Sequence, residues 1–188
     1  MGDSMRYAKI DELEYVNGNG MGVSLYTQGC PFHCDECFNQ IAWDFNGGEA
    51  WDEEVKKYFI KCVQNPHVKR ISILGGEPLA SNNLDDVFDL IYTLNKKYPD
   101  KEIWLYTGYV FEDIKKDFQN KNNLDEWKKI LECDTRWACV INSDVLIDGQ
   151  FEKDKKDLSL KFRGSSNQRI INIKKTLESA ELTLWEHN

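Results

Sequence analysis

No apolar run in the 188-residue chain approaches the roughly 20 residues that a bilayer crossing requires. Met1–Ile10 also lacks the apolar core of a secretion signal. Both absences lead to the expectation of a soluble, cytoplasmic protein with no membrane partner. Basic charge is in deficit as well: 24 Lys and Arg stand against 32 Asp and Glu, a formal net charge of -8, and the pI is near 5.0. Wrapping a nucleic-acid backbone demands a basic face, so direct binding of DNA or RNA is not expected. Internal repeats and low-complexity linkers are missing too, and the length suits a single domain over 1–188 that buries roughly 70% of its unfolded surface. A complete eight-unit barrel usually takes about 250 residues, so any barrel here is partial.

What the chain does have is an uneven distribution of its six cysteines. Cys30, Cys34 and Cys37 share one short stretch with C-x3-C-x2-C spacing, supplying three thiolates to a metal centre and withholding a fourth. A closed structural site fills every coordination position with protein, whereas a site one ligand short keeps an open position for substrate. Soft thiolates select Zn, Cu(I) or iron-sulfur clusters, and a [4Fe-4S] cluster wants four Cys when fully ligated, so three Cys and one bare iron describe a reactive cluster. The rival is a zinc-stabilised, non-catalytic interaction domain completed by His33 or a distant Cys. His33 lies between two of the ligands, which makes it a strained fourth. A disulfide leaves one of the three unpaired, and nothing marks an oxidising compartment. Cys62, Cys133 and Cys139 lie in apolar or helical contexts and are assigned no role.

A second motif follows. The run Ile71-Ser72-Ile73-Leu74 ends in Gly75-Gly76-Glu77-Pro78. A short apolar run fits a buried parallel strand, although periodicity alone does not separate it from a buried helix. Paired glycines permit close backbone approach to a ligand, and Pro78 fixes the following turn. Glu77 either adds an acceptor or braces that turn. Taken alone, the tetrapeptide is a strand-ending turn; beside the cysteine loop it reads as a cofactor site.

The remaining pattern alternates. Tyr15–Thr27, broken by Asn17-Gly18-Asn19-Gly20, predicts a strand or hairpin leading into the cysteine loop. Helical spacing predicts a helix over Trp51–Gln64, another from about Leu84 to Lys97 with Asn82 or Asn83 as N-cap, and further helix from Phe111 to about Glu132, interrupted near Asn122-Asn123. Strands are expected at Glu102–Tyr106, Val145–Ile147 and Arg169–Ile173. Such alternation implies α/β architecture with a mostly parallel sheet and right-handed crossover helices. The strand-end loops at Cys30, Gly75-Gly76, Thr107-Gly108 and Asp148-Gly149 should then gather on one side. The lysine runs at 56–57, 115–116 and 153–156 read as solvated faces.

The cysteine loop and Gly-Gly-Glu-Pro, in this order, resemble the radical S-adenosylmethionine (SAM) superfamily. Within it, Gly29-Cys30 through Cys37-Phe38-Asn39, Leu105-Tyr106-Thr107-Gly108-Tyr109, Asp144-Val145-Leu146-Ile147-Asp148-Gly149, Asp157-Leu158-Ser159-Leu160 and Arg163-Gly164-Ser165-Ser166-Asn167-Gln168 are together similar to the family that activates anaerobic ribonucleoside-triphosphate reductase. The likeness spans about residues 15–173, and the extra cysteine-rich insert of many other glycyl-radical activases is not visible. It implies a partial, TIM-like barrel of radical SAM type and an oxidoreductase. Its [4Fe-4S] cluster, held by Cys30, Cys34 and Cys37, would cleave SAM reductively to a 5'-deoxyadenosyl radical. That radical would take hydrogen from a glycine of the large catalytic subunit of the reductase. A low-potential electron donor is implied as a second partner. Glu36 and Phe38, flanking the third Cys, are expected against SAM, as are Gly75, Gly76, Glu77 and Pro78. Many superfamily members carry an aromatic immediately before that Cys, where this chain has Glu36. Thr107 offers a hydroxyl to SAM and Asp148 lines the site or a cation; turn or capping roles fit both equally. Phe32, Trp43 and Phe45 shield the cluster, meet the partner or pack the core. A radical SAM enzyme with another substrate is the nearer alternative.

Overall fold

The computed structural model describes residues 4–121 and 126–186. Among them, seven strands make one sheet: β1 (Arg6–Glu14), β2 (Gly22–Thr27), β3 (Glu49–Ala50), β4 (Arg70–Gly75), β5 (Glu102–Tyr106), β6 (Val145–Asp148) and β7 (Arg169–Asn172), in the order β3-β1-β2-β4-β5-β6-β7. The four central strands, β2, β4, β5 and β6, are parallel, and the outer pairings at both edges are antiparallel. Crossovers run through α1 (Glu53–Val63), α2 (Leu84–Lys97), and the pair α3 (Phe111–Asn120) and α4 (Trp127–Ile141); α5 (Ile173–Ser179) follows β7. The protein is thus a mixed α/β fold with a parallel centre.

Alternation along the strands sorts their side chains between two faces. Val23, Leu25, Ile71, Ile73, Ile103, Leu105 and Leu146 join Phe59, Leu90, Ile91 and Leu94 of the helices in the main core. The opposite face carries Ser24, Tyr26, Arg70, Ser72, Trp104 and Tyr106. It is covered at one end by a smaller cluster in which Phe162 and Trp185 pack on Trp104 at ring distances of 5.4 and 5.0 Å. At the N-terminal end of β4, the fully buried Arg70 pairs with Glu14 at 2.7 Å and donates to Asn17 O at 2.8 Å.

Three expectations need adjustment. The hairpin forms, but its first strand is Arg6–Glu14, and Tyr15–Met21 is the connecting loop. No residue of β1 is fully buried and charge falls on both its faces, so it carries no clean alternation signal. α4 continues to Ile141, because Cys133, Cys139 and Val140 bury a helical face that overrides the weak propensity of Cys133-Asp134-Thr135. The break foreseen near Asn122-Asn123 lies outside the described residues. Asn83 does occupy the N-cap position of α2, yet its side chain makes no cap bond; it donates instead to Gln28 O and Glu77 O, both at 2.9 Å.

Candidate functional site

The strand-end loops converge. A cavity of about 570 Å³ opens among them, within the roughly 300–1,000 Å³ range of small-molecule sites, and Cys30, Cys34, Cys37, Gly75, Gly76, Thr107, Gly108 and Gly149 all line it. The cysteine loop leaves β2 and is held from beneath: Gly29 N–H donates to Ala42 O at 2.8 Å, and Cys30 N–H to Trp43 O at 3.1 Å. A tight turn joins Cys34 O to Cys37 N–H at 3.1 Å, and Asn39 N–H donates to Cys37 Sγ at 3.4 Å. His33 and Glu36 sit in the left-handed region, at φ 47° and 55°; each costs about 1–2 kcal/mol. The loop that contains these two residues carries all three thiols on the cavity wall.

Gly-Gly-Glu-Pro serves as the shelf on which the loop rests. Gly76 N–H donates to Thr27 O and Glu77 N–H to Gly29 O, both at 2.8 Å. Gly75 has φ +114°, and a Cβ at Gly76 would stand 2.3 Å from Gly29 O, so the paired glycines are required by backbone meeting backbone. Glu77, fully buried, braces the next loop: Oε1 accepts from Leu79 N–H at 2.9 Å and Thr107 Oγ1 at 2.8 Å, while Oε2 accepts from Gly108 N–H at 2.7 Å. Burial pushes its carboxyl up to about 7, against these donors and Arg136. Burial also raises the thiols of Cys30 and Cys34, and the Glu77 charge adds to both shifts.

The predicted cofactor residues divide. Phe38, Gly75, Gly76, Glu77 and Thr107 line the cavity; Glu36, Pro78 and Asp148 are outside its wall. Glu36 is exposed and pairs with Lys153 at 3.0 Å and Lys156 at 3.6 Å, which holds its carboxyl below the usual range. Pro78 is buried in the turn. Asp148 accepts from Phe111 N–H at 2.9 Å and from Arg169 Nε at 2.9 Å, capping α3 across space, since Val110 at its N-cap makes no side-chain bond. Of the three aromatics, Phe32 and Trp43 line the cavity, while Phe45 packs against Gly29.

The segment over 150–168 was undervalued in sequence. Lys153 and Lys156 are not simply solvated: they reach Asp35 and Glu36 of the cysteine loop. Phe151 meets Phe38 edge to face at 5.4 Å. Gln168 folds the strap back on itself, accepting from Gly164 N–H at 2.9 Å and donating to Gly149 O at 3.0 Å. Leu158, Phe162, Arg163 and Gly164 thereby join the cavity wall, together with Asn17, Tyr26 and Tyr106 from its inner end. Alternation in β2 and β5 places Tyr26 and Tyr106 on a common face; the strap's motifs at Asp157–Leu160 and Arg163–Gln168 stand out in sequence, whereas the contacts of Phe151, Lys153 and Lys156 have no local signal.

The donor set fits a thiolate-ligated cluster. All three cysteines are unpaired, and beside them Asn39 Nδ2 and Trp43 Nε1 are buried without a protein partner. Among the described residues, no group of three or more His, Cys, Asp or Glu is arranged to hold a single metal ion.

Sequence comparison agrees with this geometry. Residues 16–171 match the family described as a 4Fe-4S single cluster domain. The anaerobic ribonucleoside-triphosphate reductase-activating protein of Pasteurella multocida (strain Pm70) is 32% identical over 168 residues, covering 88% of this chain and 96% of that protein. The chain belongs to this family of activating proteins. The activating proteins of Enterobacteria phage T4, at 31% identity over 88% of this chain and 93% of the relative, and of Escherichia coli (strain K12), at 30% over 90% and 100%, are similar along nearly their whole lengths. Membership carries a single iron-sulfur cluster domain with it, and no helix among the described residues is long and apolar enough to cross a membrane.

Proposed function

We propose that this protein is a radical SAM activase of anaerobic ribonucleoside-triphosphate reductase, a single domain over 1–188 acting in the cytoplasm on the large catalytic subunit and fed by a low-potential electron donor. Cys30, Cys34 and Cys37 hold a [4Fe-4S] cluster. When bound, the cluster and SAM supply the one-electron cleavage that yields a 5'-deoxyadenosyl radical able to take hydrogen from a glycine of the reductase. The chain's own residues do the placing. The Gly75-Gly76-Glu77-Pro78 shelf sets the height of the cysteine loop, and Glu77 fixes Thr107 and Gly108 beside it, so that cofactor and substrate meet within the narrow tolerance of hydrogen abstraction. Phe38, Phe151 and Leu158 form an apolar rim that excludes water. Asp148 contributes by holding α3 and β7 together under the mouth. Glu36 and Pro78 act through the loop and shelf they stiffen. The parallel centre with helices on one face is read as an incomplete barrel whose uncovered side admits the partner. The acidic surface supports no direct nucleic-acid role.

The observation that carries this reading is the convergence of three free thiols and the glycine shelf on one cavity, in a chain of the activating-protein family. Anaerobically reconstituted protein is expected to hold about four irons and to release 5'-deoxyadenosine when reductant and SAM are present. A glycyl EPR doublet should then appear on the added large subunit. Release of 5'-deoxyadenosine without any doublet points to another substrate; one zinc and no iron or sulfide removes the reading altogether.

A further inference from the structure

We propose that the side chains of Asn39 and Trp43 donate hydrogen bonds to sulfur atoms of the cluster and raise its reduction potential, an inference that rests on the cluster reading above. Both residues line the cavity, and Asn39 Nδ2 and Trp43 Nε1 are buried with no protein acceptor. Buried donors in native proteins are nearly always paired, so two orphans on one wall mark an acceptor that the polypeptide does not supply. Main-chain bonds tie each to a different cysteine: Asn39 N–H to Cys37 Sγ at 3.4 Å, and Trp43 O to Cys30 N–H at 3.1 Å. The Trp43 side chain is held in place. The Trp43 indole is stacked on His33 at a ring distance of 4.8 Å and 21° between planes, which fixes the direction of its N–H.

The acceptor must tolerate two N–H groups at a thiol-lined wall. Thiolate and sulfide sulfurs meet that requirement, and hydrogen bonds to them are an established control on cluster potential. One-electron reduction adds negative charge that spreads onto sulfur, so donors favour the reduced form. Asn39 and Trp43 are therefore positioning and tuning residues, not ligands.

The test uses the full chain, reconstituted anaerobically, as wild type, Asn39→Leu, Trp43→Phe and the double variant. Iron and sulfide are assayed first; the reduced-to-oxidised ratio is then read by EPR at a fixed potential set with a one-electron reductant and mediators. Each single variant is expected to load iron normally and to show a several-fold lower ratio, with the factors multiplying in the double variant. A tenfold fall corresponds to about 59 mV for a one-electron couple. Direction separates this from mere loosening, because water admitted to the site stabilises the more charged reduced form and moves the ratio upward. An unchanged or higher ratio in normally loaded variants overturns the inference and assigns the two N–H groups to water. Should Asn39→Leu fail to load, Trp43→Phe decides, since it keeps the ring and its stacking. A wild-type chain that takes up no iron overturns the cluster reading, and this inference with it.

Discussion

Two buried carboxylates in this protein work as caps for loops that have none of their own. Glu77 receives the backbone of Leu79 and Gly108 together with the Thr107 hydroxyl, and Asp148 receives the first amide of α3 together with Arg169. For Glu77 the consequence is a pH dependence of known sign. Its carboxyl is raised from 4.5 in the unfolded chain to about 7 in the fold, so its contribution to stability is fully present below pH 4.5 and is lost as pH rises through 7. The loss is on the order of 3 kcal/mol. Urea unfolding midpoints should therefore fall between pH 5 and 8, and Glu77→Gln should flatten that slope. Asp148→Ala leaves Arg169 with Glu112 alone and the Phe111 amide bare. A loss of about 1–3 kcal/mol is expected in the same assay, with the N-terminal turn of α3 losing amide-exchange protection first. Sequence reading reached both residues but left the role of Asp148 between site and cap. A carboxylate's partners are distant in sequence, here 37 residues away for Phe111, and no local pattern encodes them.

At the scale of elements, the junction between the cysteine loop and the end of β4 is the tightest seam. A side chain at Gly76 meets two carbonyls, Gly29 O at 2.3 Å and Ala42 O at 2.9 Å, and neither can rotate away. Gly76→Ala should cost about 1–3 kcal/mol or more and leave the cysteine loop open to protease. Gly20→Ala is the control. Its φ of +74° carries strain of about 1–2 kcal/mol, but open space surrounds it and the loop should stay protected. The glycines were recognisable in sequence as special; the structure shows main chain meeting main chain at them, and both also line the cavity. Helices and central strands were legible because burial on one face imposes a period: α2 spans Leu84–Lys97, as its apolar spacing implies. Strand β1, flanked on its outer side only by the two-residue β3, was not, since a half-exposed strand tolerates charge on both faces.

For the molecule as a whole, the helices and the main hydrophobic cluster occupy one side of the sheet, and the cavity with its cysteines occupies the ends of the strands. Stability and chemistry are thereby separated. Removing iron from reconstituted protein with a chelator should leave the far-UV circular dichroism nearly unchanged, while amide exchange rises across residues 30–39. A collapse of the whole spectrum would mean that the metal centre organises the fold. The α/β class and the gathering of strand ends could be anticipated because alternation of strand and helix allows few topologies. The hold of the 150–168 strap on the mouth could not, since it depends on Lys153, Lys156 and Phe151 finding partners more than a hundred residues upstream.

Arg70, pinned by Glu14 at the foot of β4, donates to the carbonyl of Asn17, a residue that lines the cavity. Loss of the Glu14 carboxylate, itself outside the cavity, would therefore be felt in the cavity wall, since Glu14 accepts from the amide of Asn17 as well as holding Arg70.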